Sequence, residues 1–197
     1  RFTGVRVIIT SERSISLHRS RLTYWSERLT WRLSSAIVTN THAGRDVLLR
    51  EGRVPPDRLV VIYNGIDLSV YSPGSPRQRQ VYRESHGVDQ RTMLVVLPGR
   101  IVAEKNHECL VRAIARMGHN PPIKALFVGQ EIDKRLGADL RALAGTLGVS
   151  DRIIFAGPSG DMASVYAAAD VVVLPSVSEA LPNVIIEAMA CEKVVVA

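Results

Sequence analysis

Glu179 and Glu187 stand eight positions apart in the stretch P-S-V-S-E-A-L-P-N-V-I-I-E-A-M-A, on either side of a helix start at Pro182 or Asn183. Proline suits the first helical turn, where its missing N–H would have no partner anyway. That turn leaves backbone N–H groups unpaired and carries the positive end of the helix dipole, and both favour phosphate. Ala180, Leu181 and Val184 can supply such N–H groups, whereas Pro182 cannot. Carboxylates repel phosphate, so Glu179 and Glu187 suit hydroxyls, as on sugar and ribose. Arg100 and Lys105 lie just past a predicted strand, Met93–Leu97. Two cations at the ligand-facing edge of a sheet neutralise a diphosphate, the arginine through a fork of N–H donors. Gly129 and Gly157 end two further strands and let the backbone approach a base or sugar, although turn geometry explains them nearly as well. The ligand that fits is hydroxylated at both ends and anionic in the middle, as a nucleotide-diphosphate sugar is. Taken alone, the two glutamates are better explained as solvated helix-end charges.

A parallel sheet has to hold these residues in place. Val171–Leu174 is a short continuous apolar run, the pattern of a strand buried on both faces. The helix after it can turn Ile185, Ile186, Ala188 and Met189 to a core while Asn183 and Glu187 share another face, and strand Val194–Val196 follows at once. Before it come strand Met93–Leu97, helix Glu108–Met117, strand Ile123–Val128, helix Leu136–Leu147 closed by Gly148, strand Arg152–Phe155 and helix Met162–Ala168. The first third reads the same way: strand Val5–Thr10, an amphipathic helix Leu22–Leu33 with Leu22, Trp25, Leu29 and Leu33 at helical spacing, strand Ala36–Thr39, a helix capped by Asn40 or Thr41 and ending at Gly52, and strand Leu59–Tyr63. Alternating strands and helices joined by short turns predict an α/β fold, a Rossmann-like parallel sheet with helices on both faces. The Asn64-Gly65 turn and the run Pro73–Pro76 break this alternation. Residues 64–76 therefore read as a linker between 1–63 and 77–197.

The stretch around Glu179 and Glu187 resembles the signature of the retaining glycosyltransferases of family four, which have the GT-B fold. N-G-I-D at Asn64–Asp67, G-R at Gly99–Arg100, E-K-N at Glu104–Asn106 and Y-A-A-A-D at Tyr166–Asp170 match that family in the same order. The resemblance implies that residues 1–63 are the carboxyl-terminal part of an acceptor-side domain and that 77–197 are most of the nucleotide-sugar domain. It also implies hexosyl transfer from a nucleotide sugar with retention of anomeric configuration. Arg100 and Lys105 would grip the diphosphate and steady it as it leaves, Glu179 would meet the donor sugar near its anomeric centre, and Glu187 would bind ribose. Two positions depart from the family pattern: Ala180 and Glu192 stand where glycine is common. A fragment lacking the acceptor domain's usual catalytic histidine is expected to turn over little by itself. Other GT-B enzymes, such as a sugar-nucleotide epimerase, and a non-catalytic nucleotide-sugar binding module remain alternative readings.

The 25 Lys and Arg against 19 Asp and Glu give a net charge of +6. All of the excess lies in residues 1–63, where 11 basic residues face 5 acidic ones. Such a region attracts an anionic acceptor, carbohydrate or lipid-linked, or peripheral contact with the inner face of a membrane; a solvated arginine-rich surface explains it about as well. No nucleic-acid motif accompanies the charge. Cys109 and Cys191 lack metal-ligand spacing and read as reduced thiols packed in core helices of a cytoplasmic protein. The five histidines are scattered and read as surface or capping residues. No divalent-metal signature appears, so metal-independent chemistry is expected, with the two cations serving the diphosphate.

Overall fold

A computed structural model describes residues 4–13, 21–51, 54–118 and 120–197, of which 21–24 and 28 are described by their backbone alone. The chain divides into two compact units, one of Arg1–Gly65 with Ser178–Pro182, the other of Ile66–Val177 with Asn183–Ala197.

In the first unit, β1 (Ile9–Glu12), β2 (Ala36–Thr39) and β3 (Leu59–Val61) form a parallel sheet in that order, with α1 (Arg21–Leu33) and α2 (His42–Arg50) in the crossovers. β1 lies later than the predicted Val5–Thr10, because it pairs with a four-residue partner in the register Ile9↔Ala36 to Glu12↔Thr39. Thr41 caps α2, its hydroxyl oxygen accepting from the Gly44 N–H at 2.9 Å. The expected stop at Gly52 lies outside the described residues. α1 forms as its spacing predicts, yet Trp25, Leu29 and Leu33 are exposed, and Trp31 is the residue that joins Ile37, Leu48 and Val54 in the core.

The second unit holds α3 (Pro76–Ser85), β4 (Met93–Pro98), α4 (His107–Arg116), β5 (Ile123–Val128), α5 (Lys134–Thr146), β6 (Ile153–Gly157), α6 (Met162–Ala168), β7 (Val171–Val173), α7 (Asn183–Ala190) and β8 (Val194–Val196). Its five strands are parallel in the order β6-β5-β4-β7-β8. Leu94 and Val96 of β4 enter one core cluster, while Val95 and Leu97 enter the other. That split is the physical reason for the unbroken apolar runs: a strand covered on both faces needs apolar residues at every position.

α3 starts at the end of the linker and runs through residues to which the sequence reading assigns no element. Its start was nonetheless written in the sequence, since Ser75 and Gln78 form a capping box with Pro76 in the first turn. From α3, Arg79 pairs with Asp170 at 2.7 Å, and the fully buried Arg83 reaches the Ala168 carbonyl at 2.9 Å and Asp170 at 3.3 Å. Asp170 also accepts from the Leu94 N–H at 2.8 Å, so one carboxylate joins α3, the start of β4 and the chain entering β7. Among the described residues, no helix is long and apolar enough to cross a membrane.

Candidate functional site

The order of the second sheet reverses between β4 and β7. From β4 the chain steps outward through β5 to β6, and it then returns to build β7 and β8 on the other side. The crevice outside the carboxyl ends of two such adjacent strands is where open α/β sheets collect ligands.

β4 delivers Gly99 and the exposed Arg100 to this edge. A short 3-10 turn, Ala103–Lys105, then folds Lys105 back: a Cβ built on Gly99 would lie 3.4 Å from the lysine Cδ. Asn106, in the left-handed region at φ 51°, turns the chain into α4. At the end of β5, a Cβ on Gly129 would stand 2.0 Å from the Gly99 carbonyl oxygen, so no side chain fits there. The strand ends are drawn together by bonds from Gly99 N–H to Val128 O at 2.9 Å and from Gly129 N–H to Gly157 O at 2.8 Å. From the β7 side, Val177 N–H donates to Glu104 O at 2.9 Å and ties the two loops. Arg100, Lys105 and Gly129 thus gather at one sheet edge, which the loop after β7 also reaches.

Val184 and Glu187 lie on α7. The Tyr166 hydroxyl donates to Glu187 Oε2 at 2.7 Å from a fully buried position. The Tyr71 ring lies beside that of Tyr166, the centroids 6.1 Å apart, close enough for its phenol to feel the charge of Glu187. Burial first, and then Glu187, push both phenol pKa values up, so both phenols remain protonated. α7 ends in a Schellman turn, with Lys193 N–H on Ala188 O at 3.0 Å and Glu192 N–H on Met189 O at 2.9 Å. Glu192 occupies its left-handed position at φ 57°.

Glu179, Ala180 and Leu181 belong to Ser178–Pro182, which groups with the first unit. There Asn64 does more than turn the chain. Its Nδ2 donates to the Leu181 carbonyl at 3.0 Å, and its Oδ1 accepts from Arg13 at 3.0 Å.

Several side chains differ from the sequence-based expectation. His107 is neither a surface nor a helix-capping residue. It is 1% exposed, edge-on to Phe127 at 5.0 Å, and neither ring nitrogen has a hydrogen-bond partner. Burial, then the charge of Lys105, push its pKa down to about 4 against the opposing pull of the Gly99 backbone, so a neutral imidazole sits beside Lys105 at neutral pH. His18 and His119 lie outside the described residues. Cys109 is exposed rather than packed, and Cys191 is buried just past α7; both are free thiols. Sequence reading missed Tyr71 and the contact made by Tyr166. The signal for Tyr166 was its place in an otherwise alanine-rich helix, where a lone large polar tip needs a partner. Among the described residues, no three His, Cys, Asp or Glu side chains cluster as metal ligands.

Residues 78–197 match the family model for glycosyl transferases group 1, and residues 2–70 match that for Glycosyltransferase Family 4. The chain is 36% identical over 165 residues to the D-inositol 3-phosphate glycosyltransferase of Mycobacterium sp. (strain KMS), covering 82% of this chain and 36% of that protein. It therefore spans little more than a third of the length of that relative. The crystal structure of HepE of Anabaena in complex with UDP matches with a TM-score of 0.90 at 28% identity, over 100% of this chain and 54% of that one. The HepE complex with UDP-glucose matches with a TM-score of 0.89 at 28% identity, over 96% of this chain and 52% of that one.

Proposed function

Because the chain belongs to the glycosyl transferases of group 1, we propose that it carries the nucleotide-sugar side of a GT-B enzyme that moves a hexosyl group to an acceptor with retention of configuration. The observation that carries this reading is the gathering of Arg100, Lys105 and Gly129 at the β4/β7 switch edge, with α7 and its anchored Glu187 following the adjacent strand. Arg100 and Lys105 receive the diphosphate. As the sugar–phosphate bond breaks, negative charge grows on the phosphate, and two cations already in place stabilise it more in the transition state than in the ground state. The N–H groups of Ala180, Leu181 and Val184 complete the phosphate cradle, Glu187 takes the ribose hydroxyls, and Glu179 meets the sugar near the departing bond. The two cations supply what a divalent metal would, so the transfer is metal-independent. The structures of HepE with UDP and UDP-glucose support a uridine donor as the first to test.

In the same reading, residues 1–63 belong to the acceptor domain, 64–76 link the two domains, and 77–197 form the donor domain. The positive excess of the first third suits an anionic carbohydrate or lipid-linked acceptor, and peripheral contact with the inner membrane face is part of that proposal. The test is incubation of the protein carrying this chain at the full length of its relatives with radiolabelled UDP-glucose and GDP-mannose and a panel of sugar, inositol phosphate and lipid-linked acceptors, without added metal and with chelator; the 197 residues alone are expected to turn over little. Labelled product bearing the donor's anomeric configuration by NMR is expected. Nucleotide-sugar binding without product, or an isomerised free sugar nucleotide, would move the assignment to a binding module or an epimerase.

A further inference from the structure

Glu187 has a long, partly open side chain, and such a carboxylate samples many rotamers unless something holds it. What holds it here is built into the core. Tyr166 is fully buried in the cluster formed by Leu94, Val96, Leu126 and Val172, so its ring is fixed by packing, and its hydroxyl ends 2.7 Å from Glu187 Oε2. A short bond from a neutral O–H to an ionised oxygen is the stronger kind of hydrogen bond. Tyr71, less deeply buried, packs its ring beside that of Tyr166, the centroids 6.1 Å apart, and supports it from that side. A carboxylate has about four lone-pair sites, so the Tyr166 bond leaves capacity for the two hydroxyls of a vicinal diol while restricting where that diol can sit.

We infer that Tyr166, seconded by Tyr71, is a positioning residue that fixes Glu187 for a ribose diol and so sets how strongly the protein prefers nucleotides that carry both ribose hydroxyls. The inference rests on the reading of Glu187 as the ribose ligand. Removing the phenol leaves Glu187 in place but mobile. Each hydroxyl contact then has to order the carboxylate as it forms, and the cost falls on diol-bearing ligands alone.

The experiment compares UDP with 2′,3′-dideoxy-UDP, and GDP with its dideoxy counterpart, by calorimetry on the full chain and on Tyr166→Phe. The parent is expected to prefer the ribose form of its nucleotide about tenfold or more, as loss of hydrogen bonds to a charged group predicts. Tyr166→Phe should cut that preference by about 3- to 10-fold, leave dideoxy binding within about twofold, and have no further effect in a Glu187→Ala background. A purely architectural role, joining α6 to α7, would weaken both nucleotides alike; an unchanged preference ratio therefore overturns the inference while the Glu187 assignment stands. If Tyr166→Phe does not fold, Tyr71→Phe must shift the ratio in the same direction, and an unchanged ratio there overturns it equally. A parent that binds neither nucleotide, or does not discriminate within either pair, removes the reading of Glu187 and the inference with it.

Discussion

At the scale of single residues, the least expected group is His107. An imidazole with both nitrogens unpartnered and its pKa pushed down to about 4 resists protonation in the folded protein, whereas the unfolded chain takes up a proton near the ordinary value of 6.5. Between those two values the unfolded state binds more protons, so stability falls as pH drops through this window and the loss levels off below about 4. The loss is on the order of 3 kcal/mol if the whole shift is expressed. His107→Phe, which keeps an aromatic ring against Phe127, should flatten this part of the profile, and denaturant unfolding at steps from pH 7 to pH 4 measures it. Asp67, Asp89, Asp161, Asp170 and Glu131, whose pKa values are lowered, also lose stability in acid. The parent-minus-variant difference isolates the histidine from that background.

Single residues also mark where sequence reasoning stops. Arg100, Lys105, Glu179 and Glu187 could be singled out because charge type and spacing are linear properties. The burial of His107 and the Tyr166–Glu187 bond are not, since they depend on which residues of β5, α6 and α7 come face to face. Asn64 illustrates the same limit. Its Asn-Gly step announces a turn, but its partner, the Leu181 carbonyl, lies 117 positions away.

At the scale of elements, three helix ends offer a comparison within one molecule. α3 and α5 end in the same turn as α7, with Gly87 at φ 63° and Gly148 at φ 68° in the left-handed position that Glu192 fills after α7. A side chain there costs about 1–2 kcal/mol relative to glycine, offset in part by the greater freedom glycine has in the unfolded chain. Glu192→Gly is therefore expected to raise stability by about 0.5–1 kcal/mol, read as an upward shift of the thermal midpoint. The opposite holds at Gly129, where an added methyl would meet the Gly99 carbonyl oxygen. Gly129→Ala should force β4 and β5 apart at their carboxyl ends and destabilise the protein by about 1–3 kcal/mol.

Element existence was largely legible because most strands and helices follow period or apolar continuity. The exceptions have physical causes. α3 is highly polar, with Val81 exposed, and only its capping residues announce it. α1 carries a stripe at helical spacing, yet the core takes Trp31 from a different face, which periodicity alone does not choose. β1 is placed by the length of its partner rather than by its own composition.

At the scale of the whole molecule, the charge is divided between a basic first third and a neutral remainder. If the first third meets an anionic acceptor, the apparent acceptor affinity should fall as salt rises from 50 to 500 mM, because exposed charges separated by more than about 10 Å are largely screened at 0.1 M. Donor affinity, which depends on cations close to the phosphates, should fall less. Initial-rate measurements at varied donor, acceptor and salt, on the protein at the full length of its relatives, separate the two.

The central claim is that one sheet edge, with Arg100 and Lys105 after β4 and α7 after β7, holds a nucleotide-diphosphate sugar. Its most direct test is calorimetric titration of UDP-glucose into the full chain and its Lys105→Ala and Glu187→Ala variants. Each substitution should weaken binding by about 10- to 100-fold, the loss expected for a hydrogen bond to a charged group. Folded variants that bind UDP-glucose with the parent's affinity would contradict the account.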